Sequence, residues 1–257
     1  MKTDPEAALQ KISGWLAELY GARLQSLVAY GSAAGGNHRH QRSDINLLAV
    51  LDRLDAATLD QGAAALRWWT QQGNPPVVLL SRAEQDATAA LFPIEYLDIQ
   101  AHHRVLRGED LFAAPHDGPG APGAHRHAVE RELRSKLLRL RGAYTSVASD
   151  AKKMEAVLHD SASAILTLFR HALVAVGEPL QLHKDAVLAA AAARFGFAPE
   201  PLQAILHARR AGGRIAGGKR EAVGSVFAAY LDAVQAVELA VREYDGPQHA
   251  HVEHSNP

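Results

Sequence analysis

Cysteine is absent from the 257 residues, which excludes a disulfide framework and any thiolate metal site. An excess of one charge is absent too. Lys and Arg number 27 against 28 Asp and Glu, so no overall field draws the chain toward nucleic acid or a membrane. No uninterrupted apolar run approaches the roughly 20 residues that a bilayer requires. The opening MKTDPEAALQKISGW lacks the apolar core of a signal peptide. Together these absences point to a cytoplasmic protein with no nucleic-acid or membrane partner. Proline and glycine are dense in only one stretch of any length, AAPHDGPGAPGAHRH, where regular structure is disfavoured.

That stretch divides two different patterns. Before it, apolar runs alternate with helical periodicity. Thr3 with Glu6 has capping-box spacing, Pro5 suits a first turn, and Leu9, Ile12, Leu16 and Leu19 recur at helical intervals. SLVAY, INLLAVL and PPVVLLS read as covered strands, with a helix over AATLDQGAAALRWWTQQG and a shorter one near residues 82–90. FPIEYLDIQ is expected to be a fourth strand. After the stretch, five segments carry helix formers at helical spacing. The expected organisation is an α/β (α+β) domain with a mixed sheet over 1–112, a linker over 113–124, a helical bundle over 125–247 and a frayed tail over 248–257.

The chemistry gathers in VAYGSAAGGNHRHQRSDINLLAV, residues 28–50. A glycine in a tight turn after a strand lets backbone amides approach phosphate oxygens, and the Ser32 hydroxyl adds a donor. Asp44 and Asn46 stand two apart at the start of a strand, so their side chains leave the same face. Oxygen ligands of this kind suit Mg²⁺ shared with substrate phosphates. Arg42 is a candidate for phosphate contact, and Ser43 for capping the strand entry.

Gly31-Ser32, a gap of about a dozen residues, and then Asp44 entering an apolar strand resemble the nucleotidyltransferase superfamily. That group includes DNA polymerase beta and the aminoglycoside and lincosamide nucleotidyltransferases. Asn46 departs from it, standing where the pattern D-x-D has its second acid. The resemblance implies a third acid on a neighbouring strand, and Glu95 in PIEYLDI falls there. Asp98 is the reserve; in a strand it would face the other way, so both could not serve. It also implies a transferase in which Asp44, Asn46 and Glu95 hold Mg²⁺. Gly31, Ser32, Arg42 and Ser43 would meet the nucleotide, and Asp44 and Glu95 would be the catalytic pair. The co-substrate is expected to be an NTP, ATP first, with a small-molecule hydroxyl as acceptor; homo-oligomerisation is left open. The alternative is a nucleotide-binding or regulatory protein that lost turnover through Asn46.

Other features have blander readings. His102 and His103 read as polar surface or interface residues, and one of Trp68 and Trp69 as core. Arg209, Arg210, Arg214, Lys219 and Arg220 read as a basic cluster, either solvated or facing an anionic ligand.

Overall fold

Asp4 opens the first helix: its carboxylate accepts the Ala7 N–H at 3.1 Å, satisfying a donor that the first turn leaves without an intrahelical partner. Pro5 follows in the first turn of α1 (Pro5–Tyr20). The computed structural model describes residues 4–31, 45–113, 121–181 and 183–245, so Thr3, read from its spacing as a cap, lies outside them. Leu9, Ile12, Leu16 and Tyr20 form the buried stripe of α1.

The chain divides into two compact units, one through Ala121 and the other from Pro122. In the first, β1 (Leu24–Tyr30), β2 (Asn46–Leu51), β3 (Val78–Ser81) and β4 (His103–Gly108) form one sheet in the order β3-β2-β1-β4. β1 is antiparallel to both β2 and β4, while β2 and β3 run parallel. The parallel pair needs a crossover, which α2 (Ala56–Gln71) supplies. Asp55 caps α2 through the Thr58 N–H at 2.8 Å.

Side-chain alternation along β1 and β2 fills two cores. Leu27, Ala29, Leu47, Ala49 and Leu51 pack with α1 and α2 on one face. Val28, Leu48 and Val50 pack with Ala89, Tyr96, Ile99 and Phe112 on the other. That second layer is built from α3 (Arg82–Leu91) and α4 (Pro93–Ala101). Of the two adjacent tryptophans, Trp69 is fully buried and its indole N–H donates to the Pro75 carbonyl at 2.9 Å. Trp68 is partly buried against Trp15.

One strand assignment is overturned. FPIEYLDIQ, expected as the fourth strand, is the helix α4, and the edge strand begins only at His103. A short apolar run does not reveal its period, and here Pro93 in the first turn favours helix.

The second unit is helical: α5 (Ala121–Val147), α6 (Ala151–Ala175), α7 (Lys184–Phe195), α8 (Glu200–Ala211) and α9 (Arg220–Arg242). α6 packs against α7, α8 and α9. α5 already starts inside the stretch expected as linker. α9 is long and apolar enough to cross a membrane by length and composition, although Asp232 and Glu238 interrupt its apolar run. Its Val223, Phe227, Tyr230, Val234, Val237 and Val241 are buried in the core of this unit.

Candidate active site

The polar end of the sheet is where β1 stops and β2 begins. Tyr30 closes β1, and its Cα partners are Asn46 in β2 and His103 in β4. Gly31 follows with φ +83°, in the left-handed region where a side chain is strained. Its N–H donates to the His102 carbonyl at 3.1 Å. A Cβ placed on Gly31 would stand 3.0 Å from Asn46 Nδ2. A side chain there would make the Asn46 carboxamide give way by a few tenths of an ångström.

Which face this happens on follows from the pleat. Asn46 alternates with Leu48 and Val50, and Tyr30 packs beside Val28, so both side chains leave on the face covered by α3 and α4. Glu95 belongs to the first turn of α4 and is exposed. Burial raises the Tyr30 phenol pKa, and the Glu95 carboxylate raises it further. Tyr96 and Ile99 of the same helix share one apolar cluster with Val28 and Tyr30, which sets α4 over this face of the sheet.

Glu95 thus reaches this region from a helix and not from a strand. Asp98 must be reassessed for the same reason. Three residues apart on a helix, Glu95 and Asp98 share a side, so the expectation that they point opposite ways does not hold. Ser32, Arg42, Ser43 and Asp44 lie outside the described residues. Among the described residues, no three His, Cys, Asp or Glu side chains converge to hold a metal ion. The donors in view, one carboxylate on Glu95 and one carboxamide on Asn46, are hard oxygens of the kind Mg²⁺ takes.

His103, read from the sequence as polar surface, is held on both sides. Nδ1 lies 2.9 Å from the Ile99 carbonyl and Nε2 lies 2.8 Å from Asp110 Oδ1. Its side chain is only 11% exposed, and its ring meets Phe112 at 5.9 Å between centroids. Burial raises the Asp110 carboxyl pKa, but hydrogen bonds from His103 and from the Phe112 and Ala113 N–H groups, with the charge of His103, outweigh that and leave it lowered. Nothing in HHRVLRGED marks His103 as internal, because its partner Ile99 comes from the segment misread as a strand.

The arginines read as one basic cluster have separate partners. Arg209 donates to the His159 carbonyl at 3.0 Å, Arg210 to Asp185 at 2.8 Å and Arg214 to Glu155 at 2.6 Å. Arg220 pairs with Glu221. Lys184, which the cluster read from the sequence did not include, donates to Ser163 Oγ at 2.8 Å. Its ammonium pKa is lowered by burial and then by Arg209 and Arg210.

No family model matches the sequence, and no curated protein does. Among solved structures, spectinomycin adenyltransferase AAD(9) from Enterococcus faecialis, determined with ATP and spectinomycin, superposes with a TM-score of 0.56. The match covers 90% of this chain and 100% of that one, at 16% identity. The two chains share a fold. At this identity the likeness is one of architecture: a mixed sheet between helical layers, then a helical second unit. It agrees with the resemblance carried by Gly31, Ser32 and Asp44.

Proposed function

We propose that this chain is a nucleotidyltransferase that passes the nucleoside monophosphate of ATP to a hydroxyl of a small-molecule acceptor. The observation that carries this reading is the packing of the Asn46 carboxamide against Gly31, where a methyl would stand 3.0 Å from Nδ2. It joins the glycine turn suited to phosphate with the strand start that follows Asp44. The nucleotidyltransferase fold supports it.

In this reading Gly31 admits the phosphates to the backbone, and Ser32, Arg42 and Ser43 add donors. The Asp44 and Glu95 carboxylates and the Asn46 carbonyl oxygen are the groups that would hold Mg²⁺. When bound, the ion neutralises charge on the triphosphate. Glu95 takes the proton of the acceptor hydroxyl. That oxygen bonds to the α-phosphorus, the bond from the α-phosphorus to the bridging oxygen breaks, and pyrophosphate leaves. The test is pyrophosphate release from ATP with Mg²⁺ and a panel of hydroxyl-bearing acceptors, spectinomycin first. Asp44→Ala should abolish release, and no turnover with any nucleotide at high Mg²⁺ or Mn²⁺ would refute the proposal.

One observation favours a second reading, a nucleotide-binding protein without turnover. Asn46 sits at the strand start beside Gly31 and carries no charge. This reading expects ATP affinity without pyrophosphate release, and release in Asn46→Asp.

A further inference from the structure

The segment after α4 is attached both to the end of the sheet and back to α4. His102 accepts the Gly31 N–H through its carbonyl, and its own N–H donates to the carbonyls of Asp98 and Ile99. His103 pairs with Tyr30 through the backbone. Its ring then bridges back, with Nδ1 against the Ile99 carbonyl in the last turn of α4 and Nε2 against Asp110. Each ring nitrogen thus meets an oxygen, one on the helix and one on the segment after β4. Asp110 also accepts the Phe112 N–H at 3.1 Å, and the Phe112 ring packs on Tyr96 of α4 at 5.4 Å between centroids. The circuit closes on α4 at two points, Ile99 and Tyr96.

We infer that His103 is a positioning residue: clamped between the Ile99 carbonyl and Asp110, it fixes helix α4, and with it Glu95, against the strand end that carries Tyr30 and Gly31. The role of Glu95 rests on the function proposed above; the clamp does not. Glu95 lies one turn before Ile99, so a shift at the helix C-terminus moves the carboxylate as a lever. Displacing a reacting group by about 1 Å costs on the order of 100-fold in rate. The Gly31 N–H is held by the His102 carbonyl, a backbone bond that the His103 ring does not make, so the nucleotide side of the site is spared.

His103→Gln and Asp110→Asn, in the full chain, test this by two measurements. The first is amide hydrogen exchange. Peptides from α4 should exchange at least about tenfold faster in both variants while those from α1, α2 and β2 keep their protection. The second is ATP-dependent pyrophosphate release. For His103→Gln, kcat should fall by roughly 10- to 100-fold with KM for ATP changed by no more than about twofold. Asp110→Asn, which keeps an acceptor oxygen, should retain more of the rate. Unchanged α4 protection overturns the clamp, and so does equal loosening of the whole first unit. Selective loosening of α4 with full kcat overturns the positioning of Glu95. If the native protein releases no pyrophosphate, the proposed function fails, and the exchange data still decide the clamp. Should His103→Gln not fold, Asp110→Asn carries both measurements.

Discussion

Gly31 and Asn46 touch across the end of the sheet: the space where a Gly31 Cβ would go lies 3.0 Å from the Asn46 carboxamide nitrogen. Two demands fall on this one glycine, a positive φ and a close neighbour. Gly31→Ala should therefore cost about 1–3 kcal/mol from the backbone alone and push the carboxamide away. A lower Tm with loss of ATP binding is the expected result, read by thermal melting and calorimetry. A melt that drops while ATP affinity is unchanged would mean that the turn is structural only.

Asn46→Asp adds a negative charge at a position proposed to face the ion. A unit charge near a divalent cation at about 4 Å contributes on the order of several kcal/mol at intermediate dielectric. The variant should need at least about tenfold less Mg²⁺ for half-maximal pyrophosphate release. If native protein turns over and the variant is slower, the neutral residue is suited to this chemistry as it stands, and the reading of a lost function fails.

The acid side of the stability curve follows from four carboxylates. Asp110 is lowered despite burial, as described. Asp55 is lowered by the Thr58 hydroxyl and N–H, and Asp150 chiefly by the Lys153 N–H. Glu84 is lowered by the Ser81 N–H and hydroxyl. A folded-state pKa below the unfolded value gives stability that is complete above the ordinary value and is lost as pH falls through the folded one. Ordinary values are 3.8 for Asp and 4.5 for Glu. Tm should hold from neutral pH to about 5 and then fall steadily below those values. Asp110→Asn should fall less steeply over the same range; an identical slope would remove Asp110 from the account.

Gly62 shows how tightly α1 meets α2. A methyl there would come within 2.0 Å of the Tyr20 hydroxyl, which donates to the Thr58 carbonyl at 3.0 Å. Gly62→Ala should destabilise by about 1–3 kcal/mol through overpacking. Adding Tyr20→Phe removes the clashing oxygen, so the double variant should be more stable than the two separate losses predict. Denaturant unfolding of all four proteins measures this. Strict additivity would contradict the contact.

How far the sequence reveals this molecule varies by residue. The strands around Val28 and Leu48 were legible because covered strands form continuous apolar runs, and the α2 crossover because its helical period is long. The sequence suggested Gly31 and Ser32 beside Asp44; Ser32 and Asp44 lie outside the described residues, and the neighbour found beside Gly31 is Asn46. FPIEYLDIQ was not legible: nine residues of mixed pattern suit either period, and as a helix it sets Tyr96 and Ile99 in one cluster with Val28, Leu48 and Phe112. That single misreading hid two further facts, the shared side of Glu95 and Asp98 and the His103–Ile99 contact. Both depend on the 3.6-residue period.

The most direct test of the central claim is a calorimetric titration of the native protein and Gly31→Ala with ATP, with and without Mg²⁺. The account predicts one saturable site in the native protein, tighter with Mg²⁺ and lost in the variant. Absence of binding by the native protein, or binding indifferent to both the ion and the substitution, would contradict it.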